Sequence, residues 1–234
     1  MFSERKFASL PYRKKHQLAG RHLQNLHEKG LQIDDDYRKM ETHLTLAPLS
    51  SDFESLSDRF HLHMKEGAVS LMEHYYLVKQ CDRLSTTPYL PITLYLEDLR
   101  SSFNVGSILR TVEAFRLGSV VFSEETPASD HPKVIKTSMG TAKSVPSRVG
   151  ELSSLPRPWI ALETAPTAPS LFTFSFPPTF SLLLGNEARG LKRSTIQQAD
   201  CLLQIPLCGS KNSLNVASAL AIAGAFIKNQ LRSD

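Results

Sequence analysis

At 234 residues, 41% hydrophobic and 21% charged, the chain has room for one substantial domain and a smaller extension. No tract of 18 or more apolar residues is present, which excludes a membrane-spanning helix. A formal net charge of +4 and a pI near 9.0 raise the expectation of a polyanionic partner, although so mild an excess also occurs in proteins that never touch nucleic acid.

The charge is unevenly spread. Residues 1–29 carry +5, from Arg5, Lys6, Arg13, Lys14, Lys15, Arg21 and Lys29 against Glu4 and Glu28; residues 30–83 carry −4 and residues 84–234 carry +3. The first residues lack the apolar stretch of a secretory signal, and the three cysteines (Cys81, Cys201, Cys208) are odd in number without CxxC spacing, so a reducing, cytoplasmic setting is expected. Over 10–29, Leu18, Leu23 and Leu26 recur among basic and polar residues, predicting an amphipathic helix that stops at Gly30. Its basic face suits either a solvated surface or an RNA backbone contact.

From there to Ser85 the pattern stays helical, with Phe53, Leu56, Phe60, Met64, Val69, Met72 and Tyr76 at three- or four-residue spacing as packing positions. Seven of the eight histidines precede residue 75, but His61 and His63 have no cysteine or carboxylate cluster beside them, so no metal site is expected. Pro88 and Pro91 then break the helical texture. The expected division is a mostly helical extension over 1–88, read as a region that docks RNA, and a second domain over 89–234.

In that second part apolar β-runs at 92–96, 119–122, 159–162, 180–184 and 201–205 alternate with helical segments at 105–117, 193–198 and 214–231. The alternation predicts an α/β domain with a mainly parallel sheet and helices on both faces. Residues 166–178 hold four prolines and are expected to be a surface connection.

Ligands of such sheets bind beyond the carboxyl ends of strands, and three of those junctions are unusual. After the first β-run, Asn104 could cap the following helix, and Arg110 lies one or two turns further in, either merely exposed or reaching over the strand edge. After 181–184, Gly185, Asn186, Glu187 and Gly190 form either an ordinary turn or a close backbone approach to a ligand beside a carboxylate. Neither GxGxxG nor GxxxxGK[ST] is present. After 201–205 come Ile205, Pro206, Leu207 and Gly209, then Ser213 as a plausible cap, Leu214, and polar Asn215 in need of a hydrogen-bond partner.

Taken together and in order, these junctions resemble the SpoU-type (TrmH-like) RNA ribose 2′-O-methyltransferases of the SPOUT superfamily. Asn104, Gly106, Ile108, Arg110 and Thr111 meet the motif N-x-G-x-I-x-R-T, and Gly185, Glu187 and Gly190 meet G-x-E-x-x-G. Ile205, Pro206 and Gly209 meet I-P-x-x-G, followed by S-L-N-V in Ser213, Leu214, Asn215 and Val216. The resemblance covers roughly residues 91–231, and the stretch 137–142 looks like the small-residue segment between the family's first two motifs.

The resemblance implies a C-terminal trefoil knot, S-adenosylmethionine as cofactor, structured RNA (transfer or ribosomal) as substrate, and a homodimer completing the active site at its interface. It implies cofactor contacts from Gly185, Asn186, Ile205, Leu207 and Leu214, and catalytic roles for Arg110, Asn104, Glu187, Ser213 and Asn215. An arginine is a poor base, so Arg110 is expected to grip a phosphate and orient the ribose hydroxyl, with Glu187 and Asn104 holding it in register and Ser213 and Asn215 shaping the loop. The alternatives are an RNA-binding or ribosome-assembly protein that keeps the fold with little turnover, and a methyltransferase for a base or a small molecule.

Overall fold

A computed structural model of the chain describes residues 3–70, 77, 85–165 and 167–231, in two compact units, Met1–Leu84 and Ser85–Asp234. In the second unit, β1 (Ile92–Leu96), β2 (Gly118–Phe122), β3 (Ser147–Val149), β4 (Trp159–Leu162), β5 (Ser181–Leu184) and β6 (Cys201–Leu203) form one sheet in the order β3-β2-β1-β5-β4-β6. Every neighbouring pair is parallel. β1, β4 and β5 are buried at every position, as apolar runs covered on both faces must be. On one face Leu94, Leu96, Leu182 and Leu184 pack on Val105, Ile108 and Leu109 of α5 (Ser102–Phe115) and on Leu220, Ala223 and Ile227 of α8 (Val216–Gln230). On the other, Tyr95, Val121, Ala161 and Leu183 meet Leu155, Leu191 and Ile196 of α7 (Arg193–Gln198). The mainly parallel α/β architecture read from the sequence is therefore the one observed.

Strand order reverses between β1 and β5, which are neighbours although far apart in the chain. Such a switch point splays the loops leaving adjacent strands and opens a crevice between them.

Several local expectations are corrected. Asn104 does not cap α5; Ser101 does, its Oγ accepting the Asn104 N–H at 3.3 Å, so the helix starts three residues before the expected Val105. Ser213 does not cap the last helix either. Asn215 does, its Oδ1 accepting from the N–H groups of Ala217 (2.9 Å) and Ser218 (3.3 Å), so α8 starts at Val216. The proline-rich stretch is not only surface, because Leu171 and Phe176 between its prolines enter the core. Among the strands and α-helices described in this unit, the edge strand β3 and α6 (Pro132–Thr137) had no clear periodicity to announce them. α6 lies against α5 because Gly106 has no side chain: a Cβ there would sit 2.2 Å from Thr137 Oγ1, which donates to Ser102 O at 2.9 Å. That close approach is a physical reason for the glycine in the first motif.

In the first unit α1 (Glu4–Ala8), α2 (Tyr12–Glu28), α3 (Asp35–His43) and α4 (Phe53–Glu66) surround Phe7, Ala19, Leu23, Leu26, Tyr37 and Met40, with Phe60 and Met64 in a second cluster. Val69, expected to pack, is exposed, as is Leu18 of the expected amphipathic helix, and Met72 and Tyr76 lie outside the described residues. Arg5, Lys6, Arg13, Lys14, Arg21 and Lys29 are all exposed.

Between α2 and α4, His16 Nδ1 and His63 Nδ1 lie 3.0 Å apart, and His63 Nε2 is 2.8 Å from the Tyr37 hydroxyl. Only one of the two Nδ1 atoms can carry the shared proton, so the accepting ring must be neutral and the two rings cannot both be charged. Burial, then His16 and Arg59, lower His63 to a pKa of about 3; burial also lowers His16, against the opposing pull of Glu66. Each buried ring is lowered from the ordinary 6.5 of an unfolded histidine, so the stability this arrangement contributes is complete above pH 6.5 and is lost as pH falls below it. At about 1.4 kcal/mol per pH unit, His63 alone would cost about 2 kcal/mol at pH 5. Hydrogen exchange corrected for intrinsic rates should show α2 and α4 losing protection between pH 7 and 5 more than α5 and α8. Equal loss in the four helices would refute this account.

Candidate active site

The loop leaving β1 and the loop leaving β5 are stitched across the switch point. Asp98, buried with a left-handed φ of 53°, accepts from Ser123 Oγ at 3.0 Å and pairs with Lys192 Nζ at 2.8 Å and with Arg189. Burial raises its carboxyl, but Lys192, Ser123 and Arg189 outweigh that and hold it below the usual range. Asn186 donates to Asp98 O at 2.5 Å and accepts the Ala188 N–H at 2.9 Å. Glu97 accepts from Lys192 N (2.7 Å) and Thr195 Oγ1 (2.6 Å), tying the start of α7 to the same strand end.

Glu187 crosses to the start of α5. Its Oε1 accepts from Ser101 N (3.0 Å) and Asn104 Nδ2 (2.9 Å), and its Oε2 accepts from Arg100 N (3.0 Å). Partial burial pushes the carboxyl up, yet these donors hold it below the usual range, so it is an ionised acceptor at neutral pH. Asn104 Oδ1 then accepts from Asn215 Nδ2 at 2.9 Å, while Asn215 Oδ1 caps α8. The chain of bonds runs from α8 through Asn215 and Asn104 to Glu187, and every amide orientation in it is set by its neighbours. Residues 111 positions apart are thus joined, one from each of the three sequence motifs.

Beside this chain lies a cleft of about 690 Å³ at the carboxyl ends of β4, β5 and β6. Gly185, Asn186, Glu187, Ile205, Leu207, Ser213, Leu214 and Asn215 all line it. Leu207 and Leu214 remain 36% and 40% exposed, apolar surface left for a ligand to cover. Gly185 admits the tight turn: a Cβ there would fall 2.1 Å from Leu191 N and 2.2 Å from Gly190 C.

Of the candidate residues, Arg110 is the one held apart. It is exposed on α5 and outside the cleft lining, and Glu187 and Asn104 hold each other, Asn215 and the start of α5 instead of Arg110. Sequence reading missed Glu163, Arg189 and Asp98. Glu163 directly follows β4 and Asp98 stands two residues past the end of β1, where strand-end reasoning could have found them; Arg189 fills one of the open positions of G-x-E-x-x-G.

A cleft at the carboxyl ends of parallel strands, beside a topological switch point and walled by glycine-rich turns, defines an α/β domain built to bind a small ligand. Residues 91–225 match the SpoU rRNA Methylase family. The chain belongs to that family. It is 30% identical over 139 residues to the 23S rRNA (guanosine-2′-O-)-methyltransferase RlmB of Salmonella typhi, covering 56% of this chain and 57% of that one. It is 28% identical over 163 residues to RlmB of Neisseria meningitidis, covering 65% and 64%. The match thus spans less than two thirds of these relatives. Among solved structures, the SpoU methyltransferase AviRb from Streptomyces viridochromogenes in complex with the cofactor AdoMet is 26% identical with a TM-score of 0.51, covering 63% of this chain and 61% of that one. The AdoMet-bound rRNA methyltransferase from Sinorhizobium meliloti shares the fold, with a TM-score of 0.54 at 24% identity, over 61% of this chain and 57% of that one.

Proposed function

We propose that the chain uses S-adenosylmethionine to methylate a ribose 2′-hydroxyl in structured RNA. The observation that carries the reading is the bonded series Glu187–Asn104–Asn215 at the mouth of the cleft, which draws the three motifs of a methyltransferase family to one place. Names of relatives support it: RlmB proteins are 23S rRNA (guanosine-2′-O-)-methyltransferases, and AviRb was solved with AdoMet.

The cleft fits the cofactor on its own terms. Its volume lies in the range of small-ligand sites, and Leu162, Leu184, Ile205, Leu207, Leu214 and Val216 offer apolar walls between backbone groups. When bound there, the cofactor supplies an activated methyl on a sulfonium. The protein's share is placement: Gly185, Asn186, Ile205, Leu207 and Leu214 hold the ligand, and Ser213 and Asn215 shape the edge where a ribose would enter. Arg110 is proposed to grip the phosphate beside the target ribose and orient its hydroxyl. Because Arg110 stands exposed outside its own cleft, it would do so toward the cleft of a second copy, making the active form a homodimer. A trefoil knot over the C-terminal motifs and a cytoplasmic setting belong to the same reading.

The helical unit before residue 88 is proposed to dock the RNA through Arg5, Lys6, Arg13, Lys14, Arg21 and Lys29. Mapping 2′-O-methyl groups in total RNA from cells with and without the protein tests the function: one or a few sites should vanish. An unchanged map, with no cofactor binding by calorimetry, would instead favour an assembly protein that has kept the fold.

A further inference from the structure

We infer that Glu163 is the anchor for the ribose hydroxyls of the bound adenosyl group, an inference that rests on the cofactor reading above. Glu163 leaves the end of β4 and lines the cleft. Its Oε1 accepts the Leu191 N–H at 2.5 Å and its Oε2 accepts the Thr164 N–H at 3.1 Å. Each carboxylate oxygen has about two acceptor positions, so both keep one for a ligand. The two N–H donors also fix the plane of the carboxylate, which leaves a preorganised pair of acceptors in the cleft wall.

The neighbouring backbone is shaped around this side chain. Gly190 has a φ of +70°, and a Cβ on it would lie 2.2 Å from Glu163 Oε1 and 2.9 Å from Oε2. The other charged groups of the cleft are already committed, since Glu187 bonds the start of α5 with both oxygens and Arg189 pairs with Asp98, and Asn186 bonds Asp98 and its own loop. Position along the sheet selects the ligand group. Neighbouring strands lie about 4.8 Å apart, and β4 is one strand further from β1 and α5 than β5 is. The reacting end of the ligand belongs beside Asn104 and Glu187, at the start of α5. Glu163 therefore meets a part set back from the methyl, where the nucleoside presents a vicinal diol. Two adjacent O–H donors match two fixed carboxylate oxygens, whereas the adenine ring suits the apolar walls.

Calorimetry with S-adenosylhomocysteine and its 2′,3′-dideoxy analogue, on the full chain and on Glu163→Gln, tests the assignment. Wild type should bind the dideoxy ligand about tenfold more weakly or worse, in keeping with lost hydrogen bonds to a charged group. Glu163→Gln should lose a similar factor toward S-adenosylhomocysteine and bind the two ligands alike. Equal binding of both ligands by wild type overturns the inference without recourse to any variant. Equal weakening of both ligands in Glu163→Gln also overturns it, leaving Glu163 as a prop for the 190–191 backbone. If wild type binds neither ligand, the cofactor reading fails and the inference falls with it.

Discussion

Arg110→Ala should reduce methyl incorporation into RNA by about a hundredfold or more, the scale of losing one positioned, charged contact to the reacting group. The same change should leave folding nearly untouched, since Arg110 is exposed and surface substitutions away from special features stay within about 0.5 kcal/mol. An exposed side chain can be removed without disturbing the core, which makes the thermal unfolding midpoint a direct control. Arg110→Lys adds a second reading: a point charge would preserve a simple phosphate contact but not a planar, two-pronged one. The contribution from a second copy can be isolated by mixing Arg110→Ala with a Glu187→Gln variant. If each chain's Arg110 serves the partner's cleft, mixed dimers regain one working site. Turnover by Arg110→Ala near that of wild type would remove the residue from the mechanism.

Gly185→Ala should abolish cofactor binding by more than about a hundredfold and destabilise the second unit by about 1–3 kcal/mol. The new Cβ would lie 2.1 Å from Leu191 N, 2.2 Å from Gly190 C and 2.6 Å from Gly190 O. All three are backbone atoms, so the 185–191 loop must move as a whole, and the bonds from Asn186 to Asp98 and from Glu187 to the start of α5 move with it. Gly209→Ala is the matched control, because a Cβ there meets nothing within 4 Å and φ is not left-handed. Calorimetry of both variants with S-adenosylhomocysteine checks the contrast. If Gly185→Ala binds like wild type, the loop is not the rigid cofactor wall described above.

The contrast between the two glycines shows how far motif reading reaches. Both stand at motif positions, yet only Gly185 is explained by contacts within its own chain. Arg110 carries the same lesson: the motif names it, but its place relative to the cleft depends on how α5 packs, which a linear pattern does not encode. Asn104 and Ser213 were plausible caps by residue type, and the true caps, Ser101 and Asn215, were chosen by which backbone N–H groups each side chain could reach.

The sequence by itself determined the parallel α/β class, because strands buried on both faces require continuous apolar runs and the helices between them require amphipathic ones. It also determined the family and, through the second and third motifs, a large part of the cleft lining, from Gly185 to Glu187 and from Ile205 to Asn215, since those motifs fall at strand ends where ligands bind. Only the tertiary structure decided that Glu187, Asn104 and Asn215 are joined to one another and stand apart from Arg110, and that Glu163 faces the cleft beneath Gly190. Those relations span 27 to 111 positions of chain, and they depend on strand order and loop packing, which local periodicity does not carry.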